Sequence, residues 1–274
     1  MKVTTTNNLV HHLKNDMGIR ETDLVFLFSG VWGLGILDNG LDTIHEAFEE
    51  VLPKGTLIVP TFSYSWSQGE EFNAITSCPD MGAFSNYTIN KSDYIRTNNP
   101  NFSVSIKVNA FNKDLVDYFL DIGNDCFGDD SIFGKVVNYS KNNNAWILLL
   151  GGAFNDVIYR STFIHYAQQK INVSHRYIKE FTFGTNPRAI TQLVRFINEI
   201  EYFNHASNID NNFLFPIEED FTQYGLDVQS SGILTACDFV YSTTRMVPVQ
   251  DSVRIFMDKA RGNPYYCISK SSIR

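Results

Sequence analysis

The stretch from Asp23 to Pro60 constrains the fold most. Asp23-Leu24-Val25-Phe26-Leu27-Phe28 is a near-continuous apolar run of strand length, and Thr56-Leu57-Ile58-Val59-Pro60 is a second. Between them stand a glycine-rich turn, Ser29-Gly30-Val31-Trp32-Gly33-Leu34-Gly35, and a helical stretch over residues 42–52. That stretch carries Ile44, Ala47, Phe48 and Val51 on one face. Strand, turn, helix and strand in this order make a βαβ unit, which imposes two parallel strands buried on both faces. Ligands on such sheets bind beyond the carboxyl ends of the strands. Turn 29–35 and residues 61–66 therefore share one functional edge.

Residues 145–150 (AWILLL) form a third buried strand, ending at Gly151-Gly152 and leading into a helix over 161–170. Other helices are expected over residues 7–17, 112–122, 131–139, 218–224 and 249–260, with Ser131 as an N-cap. Strands are expected over 176–183, 189–197 and 233–240. Residues 62–100 read as one long functional loop. The pattern predicts an α/β fold: a single domain over residues 1–274, with a central mixed sheet of βαβ units flanked by helices.

Composition removes several classes of function. A net charge of −8 with no Lys/Arg cluster argues against a nucleic-acid partner. No apolar run is long enough to span a membrane, and the polar N-terminus is no secretory signal, so a cytoplasmic location is expected. The 22 Phe and 13 Tyr exclude a disordered chain. Cys78, Cys126, Cys237 and Cys267 are widely spaced and without a zinc pattern, and His11 and His12 point in different directions on their helix. Reduced thiols and no metal are expected. The spacing of Gly30, Gly33 and Gly35 is the reverse of a dinucleotide fingerprint, so a turn that brings backbone amides to a ligand fits better.

The acid–base candidate is His165, in Thr162-Phe163-Ile164-His165-Tyr166-Ala167-Gln168. Thr162 and Gln168, three residues to either side, share its helix face and can hold one tautomer. A partly buried histidine bonded to a backbone carbonyl is the alternative.

Five segments in register resemble the aminoglycoside 3-N-acetyltransferase family, the antibiotic N-acetyltransferases. Phe28-Ser29 and the glycine turn match its opening H-S turn, and Gly55-Thr56-Leu57-Ile58-Val59-Pro60-Thr61 its G-T-L-V-x-P-T strand. Arg96-Thr97-Asn98-Asn99-Pro100-Asn101-Phe102-Ser103 is similar to R-S-x-H-P-x-x-S, and Gly128-Asp129-Asp130-Ser131-Ile132 to G-x-x-S-P. Leu148-Leu149-Leu150-Gly151 and Thr162 to Gln168 match L-L-L-G followed by T-x-L-H-x-x-E. The family's histidines stand as Phe28 and Asn99 here, and its glutamate as Gln168.

The resemblance implies a one-step transfer of an acetyl group from acetyl-CoA to an amine, with no metal and no covalent enzyme intermediate. His165, Thr162 and Gln168 take the catalytic positions. Ser29, Gly30, Val31, Trp32, Gly33, Asn99, Ser103 and Ser131 are the expected CoA contacts, with amides of turn 29–35 facing the developing oxyanion. Tyr64, Trp66, Arg96, Arg160 and Arg176 are the expected substrate contacts; Phe72 and Tyr87 are further aromatics in the same region. Aminoglycosides are polycations that want clustered carboxylates, whereas Arg160, Lys170, His175, Arg176 and Lys179 surround His165 in sequence. The expected acceptor is therefore a nucleotide-linked deoxyaminosugar of surface-polysaccharide synthesis. A true aminoglycoside 3-N-acetyltransferase and a catalytically inactive CoA- or sugar-binding relative are the alternatives. A homodimer is compatible with the sequence.

Overall fold

The structure is a computed structural model that describes residues 1–152, 162–182, 189–206 and 208–274; the side chains of Gln68 and Thr162 lie outside that description. The described strands are β1 (Val3–Thr4), β2 (Leu24–Ser29), β3 (Ile36–Leu37), β4 (Thr56–Pro60), β5 (Tyr94–Arg96), β6 (Val104–Lys107), β7 (Ala145–Leu150), β8 (Arg176–Phe181), β9 (Ile190–Arg195), β10 (Thr235–Phe239) and β11 (Ser242–Pro248). The helices are α1 (Thr6–His11), α2 (Asp42–Val51), α3 (Ala83–Thr88), α4 (Lys113–Leu120), α5 (Ile132–Tyr139), α6 (Thr162–Lys170), α7 (Glu199–His205), α8 (Thr222–Ser230) and α9 (Val249–Gly262).

The main sheet has the order β10-β11-β7-β2-β4-β6-β5. Its centre, β7-β2-β4, is parallel, as the βαβ pattern requires, and the flanking pairs are antiparallel. Strand alternation divides the core. Leu24, Phe26 and Phe28 of β2, Ile58 of β4 and Ile147 and Leu149 of β7 face one layer, with Val136 of α5, Phe163 of α6 and Phe256 of α9. Val25, Leu27, Leu57, Val59, Leu148 and Leu150 face the opposite layer, with Leu9 of α1 and Phe48 of α2. Helices thus cover both faces. Among the described residues, no helix is long and apolar enough to cross a membrane.

Several elements depart from the sequence reading. Residues 62–100 are not one loop: they hold α3 and β5, and β6 follows at once. The helix expected over 218–224 forms later, as α8. The strands expected over 176–183 and 189–197 form the hairpin β8-β9, outside the main sheet; residue 183 lies outside the described residues. The first helix converts at His12 into a wide π-helical turn that runs to Asp16.

Ser131 caps α5: its Oγ accepts from the Gly134 amide at 3.1 Å and donates to the Gly128 carbonyl at 2.7 Å. It is 2% exposed, so the hydroxyl expected on CoA is spent on its own helix. Ser131→Ala is expected to cost about 1 kcal/mol, read as a lower urea midpoint with an unchanged slope.

Candidate active site

α6 follows the carboxyl end of β7 and is held by Phe163, Ile164 and Ala167, all buried against the sheet. This fixes the opposite rotation for His165, which is part-buried and lines a cavity of about 420 Å³. His165, Arg176, Gln192, Leu193, Val194, Arg195, Glu219 and Phe221 line it, and the Phe127 ring meets His165 edge-on at 5.2 Å.

The hydrogen bonds behind His165 determine its tautomer. Glu219 is acceptor-only, so the Gln168 amide nitrogen donates to it. The Gln168 carbonyl then faces His165 Nδ1 at 3.0 Å, which makes Nδ1 the protonated nitrogen and leaves Nε2 as the basic one. Gln168 is fully buried, so this relay is fixed. Glu219 also accepts from His175 Nε2 at 3.1 Å and from both Arg176 Nε and Nη2. Despite its burial, the Arg176 guanidinium and the His175 hydrogen bond hold its carboxyl well below the usual range. Sequence reading missed Glu219, because Glu218-Glu219-Asp220 reads as the acidic first turn of a helix.

Burial first, then the Arg176 charge, pushes the His165 imidazole down to about 4. It is therefore a neutral acceptor across physiological pH. His12, His45 and His175 are lowered as well, burial being the main cause in each. The unfolded chain thus takes up protons before the folded one does as pH falls. Stability is fully present above pH about 6.5 and drops toward pH 4. Thermal melts at pH 7 and pH 4.5 are expected to show a clearly lower midpoint at pH 4.5, with a shallower loss in His165→Asn; equal midpoints would contradict the burial of these rings.

Other expected site residues take different places. Arg176 does line the cavity, but its guanidinium is committed to Glu219. Arg195, opposite it in the β8-β9 register, is exposed and pairs with no carboxylate among the described residues; no motif marked it. Arg160 lies outside the described residues, and so does the Thr162 side chain, although Thr162 opens α6.

Trp66 is 1% exposed and belongs to the core, which corrects its expected substrate role. Arg96 is likewise buried, donating to the Ser77 and Thr61 carbonyls and to the Ser63 and Ser103 hydroxyls, with Phe72 over its guanidinium. It pins strands together, and these four hydrogen bonds turn its guanidinium into the protein. Ser103 completes that network by donating to the Thr61 carbonyl at 2.7 Å. Asn99 folds its own loop, its Oδ1 accepting from the amides of Asn101 and Phe102. Asn101 continues to the cavity wall through Gln192, at 2.8 Å. Tyr64 is 42% exposed and does not line the His165 cavity.

The turn after β2 packs closely on the turn after β7. A Cβ on Gly33 would lie 1.7 Å from the Gly151 carbonyl oxygen, and one on Gly151 1.9 Å from that of Gly30. Only glycine permits this approach. The amides of Gly30, Gly33 and Gly35 are already bonded to the carbonyls of Leu150, Gly30 and Trp32, so these three are not oxyanion donors. Ser29 and Val31 stay part-exposed, and the Trp32 side chain stands 95% exposed. Those three residues are the exposed part of the turn.

The comparisons agree with this fold. AAC(3)-IIb, an aminoglycoside acetyltransferase, is 15% identical with a TM-score of 0.73, covering 96% of this chain and 98% of its own. AAC-IIIb, solved as a binary complex with CoASH, is 16% identical with a TM-score of 0.68, covering 95% and 97%. The YokD protein from Bacillus subtilis is 17% identical with a TM-score of 0.69, covering 96% and 95%. No curated protein sequence matches the chain significantly. The family model for aminoglycoside 3-N-acetyltransferase matches residues 29–260. The chain therefore belongs to the aminoglycoside 3-N-acetyltransferase family, whose members are acyl-CoA-dependent N-acetyltransferases.

Proposed function

We propose that this chain is one catalytic domain that acetylates a primary amine of an amino sugar, with His165 Nε2 as the base. The observation that carries this reading is the Glu219–Gln168–His165 relay opening on the cavity. Bound acetyl-CoA supplies the thioester carbonyl and a thiolate leaving group. His165 Nε2 takes the amine proton as the nitrogen–carbon bond forms, directly or through a water. Gln168 holds the ring in the productive tautomer. A base held near pKa 4 is weak, so much of the rate acceleration is assigned to alignment of amine and thioester.

For the acceptor, an aminoglycoside is the reading that the comparisons support: AAC(3)-IVa was solved in complex with apramycin, and AAC-VIa with sisomicin. A second reading, a nucleotide-linked deoxyaminosugar, rests on the charge of the cavity. Among the described residues at the cavity, Glu219 is offset by Arg176, Gln168 is neutral, and Arg195 leaves an excess positive charge beside His165. A diphosphate would suit Arg195; a polycation would be repelled. Thiol release from acetyl-CoA, measured against aminoglycosides and nucleotide-linked amino sugars in parallel, decides between them. Higher kcat/KM on the aminoglycosides refutes the second reading.

Gln168→Glu tests the charge argument. The new carboxylate would touch Glu219, and two adjacent carboxylates favour sharing a proton. Acetyl-CoA binding is expected to stay unchanged, and kcat/KM for a polycationic amine to rise by no more than about tenfold, equivalent to about 1.4 kcal/mol. A much larger gain would show that this single charge sets acceptor choice.

A further inference from the structure

A second polar cluster lies away from the His165 cavity, where the π-helical turn after α1 meets the hairpin β10-β11. His12 is 1% exposed, and its ring stacks on Phe239 at 4.4 Å with the planes 16° apart. Its Nδ1 lies 2.9 Å from Asp16 Oδ2 and its Nε2 2.9 Å from Thr244 Oγ1. Cys237 is directly opposite Thr244 in the strand register, so both side chains leave the hairpin on the same face. One nitrogen of His12, one carboxylate oxygen of Asp16 and the sulfur of Cys237 all lie within 4.8 Å of one another.

We propose that His12, Asp16 and Cys237 bind a divalent ion of the zinc class. Imidazole, carboxylate and thiolate are three ligand types that zinc accepts, and a water completes four-coordination. Zinc–ligand bonds of about 2.0–2.3 Å place tetrahedral ligands about 3.3–3.7 Å apart. The Asp16 side chain is exposed and that of Cys237 part-exposed, so shifts of about 1 Å can bring the set to tetrahedral spacing. His12 is held in place: Phe239 fixes its ring plane, its Nδ1–H donates to the acceptor-only Asp16 carboxylate, and its Nε2 accepts from the Thr244 hydroxyl. On binding, the ion takes Nδ1 and the single ring proton moves to Nε2, which then donates to Thr244 Oγ1 as the outer hydrogen bond of a metal-bound histidine, while the Cys237 thiol proton leaves to solvent.

A second triad, His45, Glu49 and Asp93, has the same spacing but a different content. The Lys107 ammonium lies 2.7 Å from Glu49 and 2.5 Å from Asp93, so a cation already sits there. Among the described residues, the His12 group has no such ammonium. An ion on it would tie the first helix to the hairpin whose Tyr241 amide donates to the Gly33 carbonyl at 3.2 Å. It would therefore stiffen the glycine turn at the sheet edge.

Untagged protein titrated with Co²⁺ tests the site. The expected result is a thiolate-to-cobalt absorption band and tetrahedral visible bands that saturate at one ion per chain and disappear on adding Zn²⁺. The bands are retained in Cys78→Ser and lost in Cys237→Ser, and Asp16→Asn weakens Co²⁺ binding at least about tenfold. The same site is read in the unaltered protein, without reliance on a variant that folds, by mass spectrometry of alkylated Cys237, which Zn²⁺ should protect. Absence of the thiolate band, its survival in Cys237→Ser, or no Zn²⁺ protection of Cys237 overturns the assignment.

Discussion

His165→Ala is expected to lower acetyl turnover by about 10²–10⁴-fold while the affinity for acetyl-CoA changes little. The split follows from placement. His165 lines the cavity, whereas the exposed part of the turn after β2, the expected CoA contact, is built from other residues. The neutral ring is available down to about pH 4. The acid limb of wild-type kcat/KM is therefore expected far below the ordinary histidine range. Steady-state thiol release over pH, with acetyl-CoA binding measured by calorimetry, reads both quantities. A variant with near-normal turnover would remove His165 from the chemistry.

Glu219→Ala is expected to cost about 3–5 kcal/mol of stability, because it leaves a buried arginine without its counter-charge. The Glu219, Arg176 and His175 side chains are only 6%, 7% and 1% exposed. Urea unfolding checks the magnitude. Replacing both members, Glu219→Leu with Arg176→Met, is expected to recover much of the stability, since an apolar pair removes the unpaired charge. Turnover should remain low in that double variant, because Gln168 has lost the acceptor that orients it and His165 can adopt the wrong tautomer. A loss below about 1 kcal/mol in Glu219→Ala would mean that the ion pair is hydrated.

The sequence displayed the parallel centre of the sheet because β2, β4 and β7 are buried on both faces and read as unbroken apolar runs. β11, which joins β10 to that centre, was illegible: Ser242-Thr243-Thr244-Arg245 is polar, and only Met246 and Val247 mark it as a strand. β5 and β6 flank the motif Arg96–Ser103, whose polar residues look like a ligand loop. In the fold those side chains bond inward, with Arg96, Asn99 and Ser103 all under 10% exposed. Burial of hydrogen-bonded polar groups carries no periodic signal, so motif residues that build a site and those that touch a ligand look alike. His165 and Gln168 were legible from one helix turn. Glu219 and Arg195 were not, since they stand 51 and 27 residues beyond Gln168 and reach the His165 cavity only in the folded chain.

Thiol release from acetyl-CoA with and without a primary amino-sugar acceptor, followed by identification of the acylated atom in the product, is the most direct measurement. The account predicts that release requires the amine and matches the product mole for mole, with the acetyl group on nitrogen. Release that proceeds equally without the amine, or a product acylated on oxygen, would contradict it.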